Sequence, residues 1–242
     1  MEQLLKFLRT KSSPKIVVLT GAGVSVESGI KTFRDSGGLW ENYRVEDVAT
    51  PEGFYANPDL VYEFYNQRRR QAKLCEPNRG HFALAEIEDL FGDNFTLVTQ
   101  NVDNLHERAG SKKVLHMHGE LFKARCFECG SVMDWEEDLD ASDSCDACHG
   151  NLRPHIVWFN EMPLFMDDII SNLSLCDLFV SIGTSGVVYP AAGFYQTASS
   201  KGAYTLELNL NPTGSNFDSV IQGPSGTTID VLLKTLRSVY TN

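Results

Sequence analysis

Apolar residues form five short unbroken runs along the chain, and segments with helical spacing separate them. The runs are KIVVLT (15–20), FTLVTQ (95–100), VLHMHG (114–119), DLFVSIGTS (177–185) and AYTLELNL (203–210). Such runs are typical of strands that are buried on both faces of a parallel sheet. Helical spacing over 81–91, 190–198 and 228–240 lies between or after them. The alternation predicts an α/β fold with a doubly wound, Rossmann-like parallel sheet.

Two segments interrupt the alternation. Residues 41–80 contain no strand-like run, and Asn57-Pro58 predicts a helix through residue 73, because asparagine is a good N-cap and proline suits the first turn. Residues 123–152 are acidic, contain cysteines and are poor in apolar side chains. We expect 41–80 and 123–152 to form a small second domain, one part helical and the other metal-binding. The Rossmann-like domain would consist of 1–40, 81–122 and 153–242.

Composition and charge narrow the class of protein. The chain has 242 residues, of which 42% are hydrophobic, and a net charge of −11. This charge repels a phosphate backbone, so a nucleic-acid partner is not expected. No apolar run approaches the ~18 residues of a membrane span, and the first residues, MEQLLKFLRTKSSPK, predict a short amphipathic helix and not a signal peptide. We expect a cytoplasmic protein whose six cysteines are reduced thiols or metal ligands.

Four of the cysteines form a metal-binding pattern. Cys126-x-x-Cys129 and Cys145-x-x-Cys148 have the spacing of a zinc ribbon. Four thiolates close the coordination sphere of Zn²⁺, which predicts a structural ion and not a catalytic one. Ligation would supply the folding energy that the apolar-poor segment between the pairs lacks.

Two histidines lie just before these cysteines. His116 and His118 are two residues apart on the predicted strand 114–119, so we expect both on one side of the sheet. Neither is needed for a metal that four cysteines already bind. His118 precedes Gly119 at the carboxyl end of the strand, where ligands bind in open α/β sheets. From the residues alone, a structural and a catalytic histidine remain alternatives.

The first apolar run leads directly into GAGVSVESGI. Gly21 and Gly23 allow a tight turn and a close approach to a pyrophosphate, and a following helix N-terminus would add donors. Gly29 comes too late for G-x-G-x-x-G, and no strand that ends in an acidic residue follows about twenty residues on. The pattern predicts a dinucleotide site unlike that of most dehydrogenases.

Together and in order, these motifs resemble the sirtuins, the NAD-dependent protein-lysine deacylases. The motifs are GAGVSVESG with TFR (21–34), TQNVDNLHERAG (99–110), HGE (118–120), the two C-x-x-C pairs, VWF (157–159), GTS (183–185) and NLN (209–211). The compact length is similar to that of bacterial members. The resemblance implies that NAD⁺ is consumed to remove acyl groups from protein lysines, giving nicotinamide, O-acyl-ADP-ribose and free lysine.

The resemblance also implies roles for individual residues. His118 would be the general base that takes a proton from a ribose hydroxyl, and Asn101 would be the second catalytic residue. Asn160 stands where glycine is usual, and asparagine is the best substitute if that position needs a positive φ. NAD⁺ would contact Gly21, Ala22, Gly23, Phe33, Arg34, Gln100, Asn101, Asp103, Gly183, Thr184, Ser185, Asn209, Asn211 and Ser225. Val157 and Phe159 would bind the acylated protein as an added strand, and a monomer is expected.

A further pair concerns the acyl group. Tyr65 and Arg68 are three apart on the predicted helix and share a face. The residues alone favour a solvated basic face formed by Arg68, Arg69 and Arg70. However, Y-x-x-R here resembles the sirtuin subclass that removes succinyl and malonyl groups, since guanidinium binds a carboxylate through two parallel hydrogen bonds. Ala49 would leave room for the longer acyl chain.

We therefore expect activity on acetyl-lysine and on succinyl- or malonyl-lysine, with Arg68 selecting the acid. Two alternatives remain at this stage. One is a mono-ADP-ribosyltransferase that uses the same NAD site and the same histidine. The other is a non-enzymatic zinc-ribbon binding module.

Overall fold

The structure is a computed structural model that describes residues 2–31, 39–40 and 43–241. Phe33 and Arg34, which the resemblance assigns to a cofactor loop, lie outside the described residues. The strands are β1 (Ile16–Thr20), β2 (Leu39–Trp40), β3 (Tyr43–Arg44), β4 (Phe95–Thr99), β5 (Val114–His116), β6 (Gly119–Cys126), β7 (Val132–Asp134), β8 (Leu152–Ile156), β9 (Leu178–Ile182), β10 (Tyr204–Asn209) and β11 (Ser219–Gln222). The α-helices are α1 (Glu2–Leu8), α2 (Val45–Val48), α3 (Pro51–Ala56), α4 (Pro58–Leu74), α5 (Arg79–Phe91), α6 (Leu105–Arg108), α7 (Met166–Leu175), α8 (Phe194–Ser200) and α9 (Ser225–Tyr240).

In the described part of the chain, six strands form one parallel sheet in the order β11-β10-β9-β1-β4-β5. Numbered by their appearance in this sheet, the order is 6-5-4-1-2-3, which is that of the Rossmann fold. The predicted doubly wound sheet is therefore confirmed. Of these six strands only β11 was missed, because Ser219–Gln222 alternates half-buried and exposed positions at the sheet edge and carries no apolar run.

The unbroken apolar runs follow from layers of helices on both faces of this sheet. Ile16 and Val18 belong to a core that includes residues of α1, α5 and α9. Val17 and Leu19 face the opposite layer, which includes α7 and α8. A strand covered on both sides has no solvent-facing positions, so its sequence cannot alternate. None of the described helices has the length and apolar character needed to cross a membrane.

The two insertions pack together around a third core. Strand β6 lies between β7 and β8 and is antiparallel to both. Its apolar residues share a core with Val61 and Phe64 of helix α4. Helix α4 begins as predicted, with the Asn57 side chain accepting the Leu60 N–H at 3.2 Å.

Two details of these insertions differ from expectation. The segment 41–80 does contain a short strand, since Tyr43 pairs with Trp40 in the β2–β3 hairpin. The limits expected at 122/123 and 152/153 fall inside β6 and β8, because the second sheet extends beyond the cysteine-bearing loop. The division into two domains stays a prediction.

Helix α4 also corrects the expected basic surface. Arg69 is 1% exposed, and its Nε donates to Leu121 O at 2.7 Å. Arg68 is 9% exposed. The solvated basic face is therefore wrong for both residues, because α4 is covered on two sides. Arg70 alone of the three points to solvent, where it pairs with Glu63 at 2.8 Å.

Candidate active site

Two glycine loops meet at the point where the strand order of the large sheet reverses. Gly21 follows β1, and its N–H donates to Ile182 O at 3.0 Å, at the end of the neighbouring strand β9. The Gly23 N–H donates to Gly183 O at 2.9 Å. A Cβ on Gly23 would lie 2.6 Å from Gly183 Cα, and Gly183 itself has φ +59°. We call this contact of Gly21–Gly23 with Gly183 the glycine seam, and in open α/β sheets such a reversal point is the ligand crevice.

The glycine motif does not lead into an α-helix. It is followed by two 3₁₀ turns, Ala22–Val24 and Val26–Ser28. The expected helix N-terminus is therefore wrong, since one-turn segments have no substantial macrodipole. An anionic ligand bound here would therefore contact polar groups of this loop and its surroundings, and not the N-terminus of a helix.

Ser25 ties the glycine motif to the loop that follows β4. Its hydroxyl accepts a hydrogen bond from Asn101 Nδ2 at 3.1 Å and donates to Asp103 Oδ2 at 3.2 Å. The Leu105 N–H donates to Asp103 Oδ1 at 3.1 Å. Burial raises the pKa of Asp103, although these hydrogen bonds oppose the shift. Sequence reasoning missed Ser25, and its place within the glycine motif was the available signal.

Two buried histidines lie behind this cluster. His106 Nε2 is 3.0 Å from Thr20 Oγ1, and its ring centre is 4.9 Å from that of His81. Burial lowers the pKa of His81 to about 4 and the pKa of His106 well below its usual value. Both rings are therefore neutral at pH 7, and sequence reasoning had assigned them no role.

His116 and His118 do not share a strand face. Strand β5 ends at His116, and Met117 and His118 form a turn that leads into β6. The chain turns because Gly119 has φ +83°, and a Cβ at Gly119 would lie 2.0 Å from His155 O. The expectation of one strand through 114–119 is therefore wrong, and the turn points the two rings at different surroundings.

The His118 ring has the tautomer of a base. Its Nδ1 lies 3.2 Å from Gln100 O, and a carbonyl can only accept, so Nδ1 carries the proton. The lone pair is then on Nε2, and the half-buried ring lines the large cavity. Burial lowers the pKa of His118, with partial compensation from the hydrogen bond to Gln100. A neutral imidazole with an available Nε2 is suited to general-base chemistry near pH 7.

One cavity of about 1060 Å³ brings the predicted residues together. The glycine seam forms one wall, and His118 lies on the same cavity as Tyr65 and Arg68 of helix α4. All predicted cofactor and substrate residues within the described chain line it: Gly21, Ala22, Gly23, Tyr65, Arg68, Gln100, Asn101, Asp103, Val157, Phe159, Gly183, Thr184, Ser185, Asn209, Asn211 and Ser225.

Hydrogen bonds fix the end of the cavity next to β10. Asn209 Nδ2 donates to Thr184 O at 2.9 Å and to Glu207 Oε1 at 3.1 Å. The Ser225 hydroxyl donates to Gly23 O at 3.2 Å, which links helix α9 to the glycine seam. Glu207 is buried, and sequence reasoning did not select it.

The other end of the cavity is lined by α4 and by the segment after β8. The Tyr65 hydroxyl accepts the indole N–H of Trp158 at 3.1 Å. Arg68 Nη1 donates to Phe64 O at 2.6 Å, and its guanidinium carbon lies 3.4 Å from the centre of the Phe64 ring. Ala49, with its small side chain, lines the same end. This end therefore combines apolar side chains with the buried guanidinium of Arg68.

The segment 157–159 is held on both sides. The Val157 N–H donates to His118 O, and the Phe159 N–H donates to Ala49 O, each at 2.9 Å. Asn160 has φ +73°, so the expectation that asparagine replaces glycine at a positive-φ position is confirmed.

An ion pair supports this segment from behind. Arg153 binds Glu161 through two hydrogen bonds of 2.6 and 3.0 Å, and Glu161 Oε2 also accepts the Trp158 N–H at 2.8 Å. The Arg153 guanidinium carbon lies 3.4 Å from the centre of the Trp158 ring. Sequence reasoning missed this pair because its members lie eight residues apart and only the fold brings them together.

The four predicted metal ligands converge next to the end of β6, whose last residue is Cys126. The sulfurs of Cys126, Cys129, Cys145 and Cys148 all lie within 4.8 Å of one another. Separations of 3.5 Å (Cys126–Cys148) and 3.7 Å (Cys129–Cys145) are close to the ~3.8 Å edge of a tetrahedron with Zn–S bonds of ~2.3 Å. The arrangement fits a closed, structural Zn²⁺ site, and neither histidine takes part.

The fold and the site define a nucleotide-binding enzyme with a structural metal module. They combine a Rossmann-type sheet, a glycine seam at its reversal point, a neutral histidine and a four-cysteine cluster. The profile of the Sir2 family matches residues 21–190, and the chain belongs to this family.

Individual relatives agree with this assignment. The NAD-dependent protein deacylase of Yersinia pseudotuberculosis is 60% identical over 211 residues, which cover 85% of this chain and 76% of that protein. A crystal structure of a Sir2 homologue with NAD superposes with a TM-score of 0.89 and 38% identity, over 100% of this chain and 95% of the other. A Sir2 structure bound to an acetylated peptide superposes with a TM-score of 0.80 and 28% identity, over 97% of each chain.

Proposed function

We propose that the protein is an NAD-dependent protein-lysine deacylase. The observation that carries the proposal is the single cavity that connects the glycine seam, the His118 ring and the Tyr65–Arg68 end. Such a cavity would hold a dinucleotide and an acyl-lysine on either side of a neutral base. Relatives named as NAD-dependent protein deacylases support the same activity.

The residues of the cavity divide the work. The glycine seam, Asn209 and Ser225 would hold NAD⁺, whose nicotinamide-bearing ribose carbon is the electrophile that the acyl oxygen attacks. Asn101 and Asp103, fixed by Ser25, would hold nicotinamide and its ribose. His118 would accept a ribose hydroxyl proton at Nε2, while Gln100 O keeps the other ring nitrogen protonated. With one water molecule consumed, the products are nicotinamide, O-acyl-ADP-ribose and free lysine.

Arg68 would select acidic acyl groups such as succinyl and malonyl. Its side chain is largely desolvated, which strengthens its attraction for a carboxylate. Nη1 donates to Phe64 O, and a guanidinium with its five N–H donors is the side chain best suited to a two-point contact with a carboxylate. An acetyl group is shorter and has no carboxylate to contact the Arg68 guanidinium.

The acylated protein would bind next to the segment 157–159 as an added strand. Its N–H groups are already engaged, since Val157 donates to His118 O, Trp158 to Glu161 and Phe159 to Ala49. A bound peptide therefore has to meet this segment at its carbonyl oxygens. Recognition through main-chain atoms reads little side-chain sequence, so we expect broad protein specificity. The monomeric state and the cytoplasmic location stay predictions.

The test of this function is mass spectrometry of an acetyl-lysine and a succinyl-lysine peptide, each incubated with and without NAD⁺. Loss of both acyl groups only with NAD⁺, together with O-acyl-ADP-ribose, is the expected result. No loss of either group by the folded, zinc-loaded protein would overturn the proposal. Transfer of label from NAD⁺ to protein would then favour the ADP-ribosyltransferase.

Acid selection is tested separately with Arg68→Met. We expect desuccinylation to fall at least tenfold more than deacetylation, since one charge-assisted contact is worth about 1.5–3 kcal/mol. Arg70→Met is the matched control, because Arg70 lies two residues further along the same helix but is exposed. An equal loss of both activities in Arg68→Met would refute selection by Arg68.

A further inference from the structure

His116 makes two well-formed hydrogen bonds. It is neither a ligand of the four-cysteine cluster nor the general base. The side chain is almost completely buried at the end of β5. Its Nδ1 lies 3.1 Å from Asn101 O, and its Nε2 lies 2.8 Å from Glu107 Oε1 on helix α6. The ring therefore bridges α6 and the loop that carries Asn101.

Both partners of the ring are acceptors, which determines its protonation. A carbonyl oxygen and a carboxylate oxygen can only accept, whereas a neutral imidazole has a single N–H. Two hydrogen bonds therefore require one extra proton, on the ring or on Glu107. The Glu107 side chain is 40% exposed, so its charge is hydrated and the extra proton belongs on the buried ring.

The charged groups around the ring support this assignment. Burial by itself lowers the pKa of His116, but the hydrogen bond and charge of Glu107, with help from Glu120 on β6, raise it overall. Asp103 is also close enough to sense the His116 charge, and His106 on α6 is neutral. His118, two residues later, has no carboxylate partner within the described part of the chain, and burial lowers its pKa.

The hydrogen bond to Asn101 completes the anchoring of that residue. The Asn101 N–H donates to Thr99 Oγ1 at 3.0 Å, its Nδ2 donates to Ser25 Oγ at 3.1 Å, and its O accepts from His116. Among the described residues, Oδ1 is the one polar atom of Asn101 without a hydrogen bond, and Asn101 lines the cavity. An acceptor held in this way suits an amide N–H or a hydroxyl of the ligand.

We propose that His116 is a positioning residue that binds Asn101 O as an imidazolium, held by Glu107, and thereby fixes Asn101 Oδ1 toward the nicotinamide end of the cavity. The two histidines thus hold consecutive carbonyl groups, His118 that of Gln100 and His116 that of Asn101. The identity of the ligand at Oδ1 rests on the proposed function, whereas the protonation of His116 does not.

The charge is tested by NMR of ¹⁵N-labelled histidine in the intact, zinc-loaded protein. At pH 7 both ring nitrogens of His116 should be protonated, whereas His118 should show one protonated nitrogen. In Glu107→Gln, the new amide N–H can donate to an unprotonated Nε2, so both hydrogen bonds persist and the ring becomes neutral. A neutral His116 ring in the wild-type protein would overturn the proposal.

The positioning role is tested by calorimetric binding of NAD⁺ and of nicotinamide, and by separate KM values for NAD⁺ and acyl-peptide. For His116→Leu we expect affinity for NAD⁺ and nicotinamide to fall about tenfold or more, with little change in KM for the peptide. Glu107→Gln should stay within about threefold of wild type, because it keeps the hydrogen bonds. Unchanged NAD⁺ and nicotinamide affinities in folded His116→Leu would refute the role.

A matched control separates positioning from general destabilisation. His155→Leu removes another buried histidine, on β8 in the second sheet, which has no hydrogen bond to Asn101. It should retain wild-type NAD⁺ affinity at temperatures where it is folded. If His116→Leu does not fold, Glu107→Leu removes only the partner of Nε2 and should weaken nicotinamide binding severalfold. A wild-type protein that binds NAD⁺ but removes no acyl group would refute the deacylase and leave the His116 test intact.

Discussion

The glycine seam makes a quantitative prediction for Gly23→Ala. The added Cβ would lie 2.6 Å from Gly183 Cα and 2.7 Å from Gly183 O. Carbon atoms in contact are normally about 3.5–4.0 Å apart, so the two loops have to separate by about 1 Å. Both partners are backbone atoms, and no flexible side chain can yield. Overpacking of this kind costs about 1–3 kcal/mol in the free energy of unfolding.

The same displacement acts directly on the cavity. Gly21, Gly23 and Gly183 all line it, and Ser225 is tied to Gly23 O. A misplacement of about 1 Å costs up to about 10²-fold in rate when the site depends on position. We expect Gly23→Ala to lower kcat/KM for NAD⁺ by ~10–100-fold and the melting temperature by several degrees.

The assay compares steady-state kinetics and thermal unfolding with those of Gly193→Ala. Gly193 is the control because its added Cβ would meet side-chain atoms at 3.6 and 3.8 Å, which are ordinary contacts. Gly193→Ala should remain close to wild type in both measurements. Wild-type stability and kinetics in Gly23→Ala would show that the seam can open freely, which would refute the reasoning.

Three further changes test other parts of the site. His118→Ala should fold normally and lose ~10²–10⁴ in rate, and near-wild-type turnover in this mutant would contradict the role of His118 as the base. In the wild-type protein, the rate should fall in acid at a pH below the usual pKa of histidine, because the base must be neutral and burial lowers the pKa of His118. Cys129→Ser should reduce the zinc content below one ion per chain and lower the melting temperature, whereas the control Cys176→Ser should keep its zinc and its melting temperature. Full zinc occupancy in Cys129→Ser, measured by metal analysis, would argue against the four-thiolate site. The pKa of His81 is about 4 in the folded protein and 6.5 in the unfolded chain, so only the unfolded chain takes up a proton between these values. As the pH falls through this range, the free energy of unfolding should decrease by up to ~1.4 kcal/mol per pH unit. Urea unfolding at pH 7 and pH 5 tests this, and an equal pH dependence in His81→Gln would rule it out.

Much of the large sheet was predictable because its signal is local. Five of the six parallel strands coincide with apolar runs. Strand β11 was missed because its residues alternate between half-buried and exposed positions at the edge of the sheet. The zinc site was predictable for a similar reason, since C-x-x-C spacing places two thiolates on one turn of chain. Even the order of motifs was sufficient to assign the family before the fold was known.

The arginines of α4 show where local reasoning ends. Three consecutive arginines predict a solvated face, yet Arg69 is enclosed by Leu121 O and Asn66, and Arg68 lines the cavity. The burial of Arg69 depends on Leu121 in the second sheet, which lies 52 residues further along the chain. No periodicity within the helix contains that information.

The sequence by itself determined five of the six strands of the parallel sheet, the metal ligands and the presence of two histidines near the end of β5. Only the tertiary structure decided what these histidines are. His118 meets the carbonyl of Gln100 and has an available Nε2, whereas His116 lies between the Asn101 carbonyl and the Glu107 carboxylate. Strand and ligand patterns depend on neighbours a few residues away, so the sequence displays them. A tautomer or a charge depends on acceptors that packing delivers from other segments, and folding alone brings those into contact.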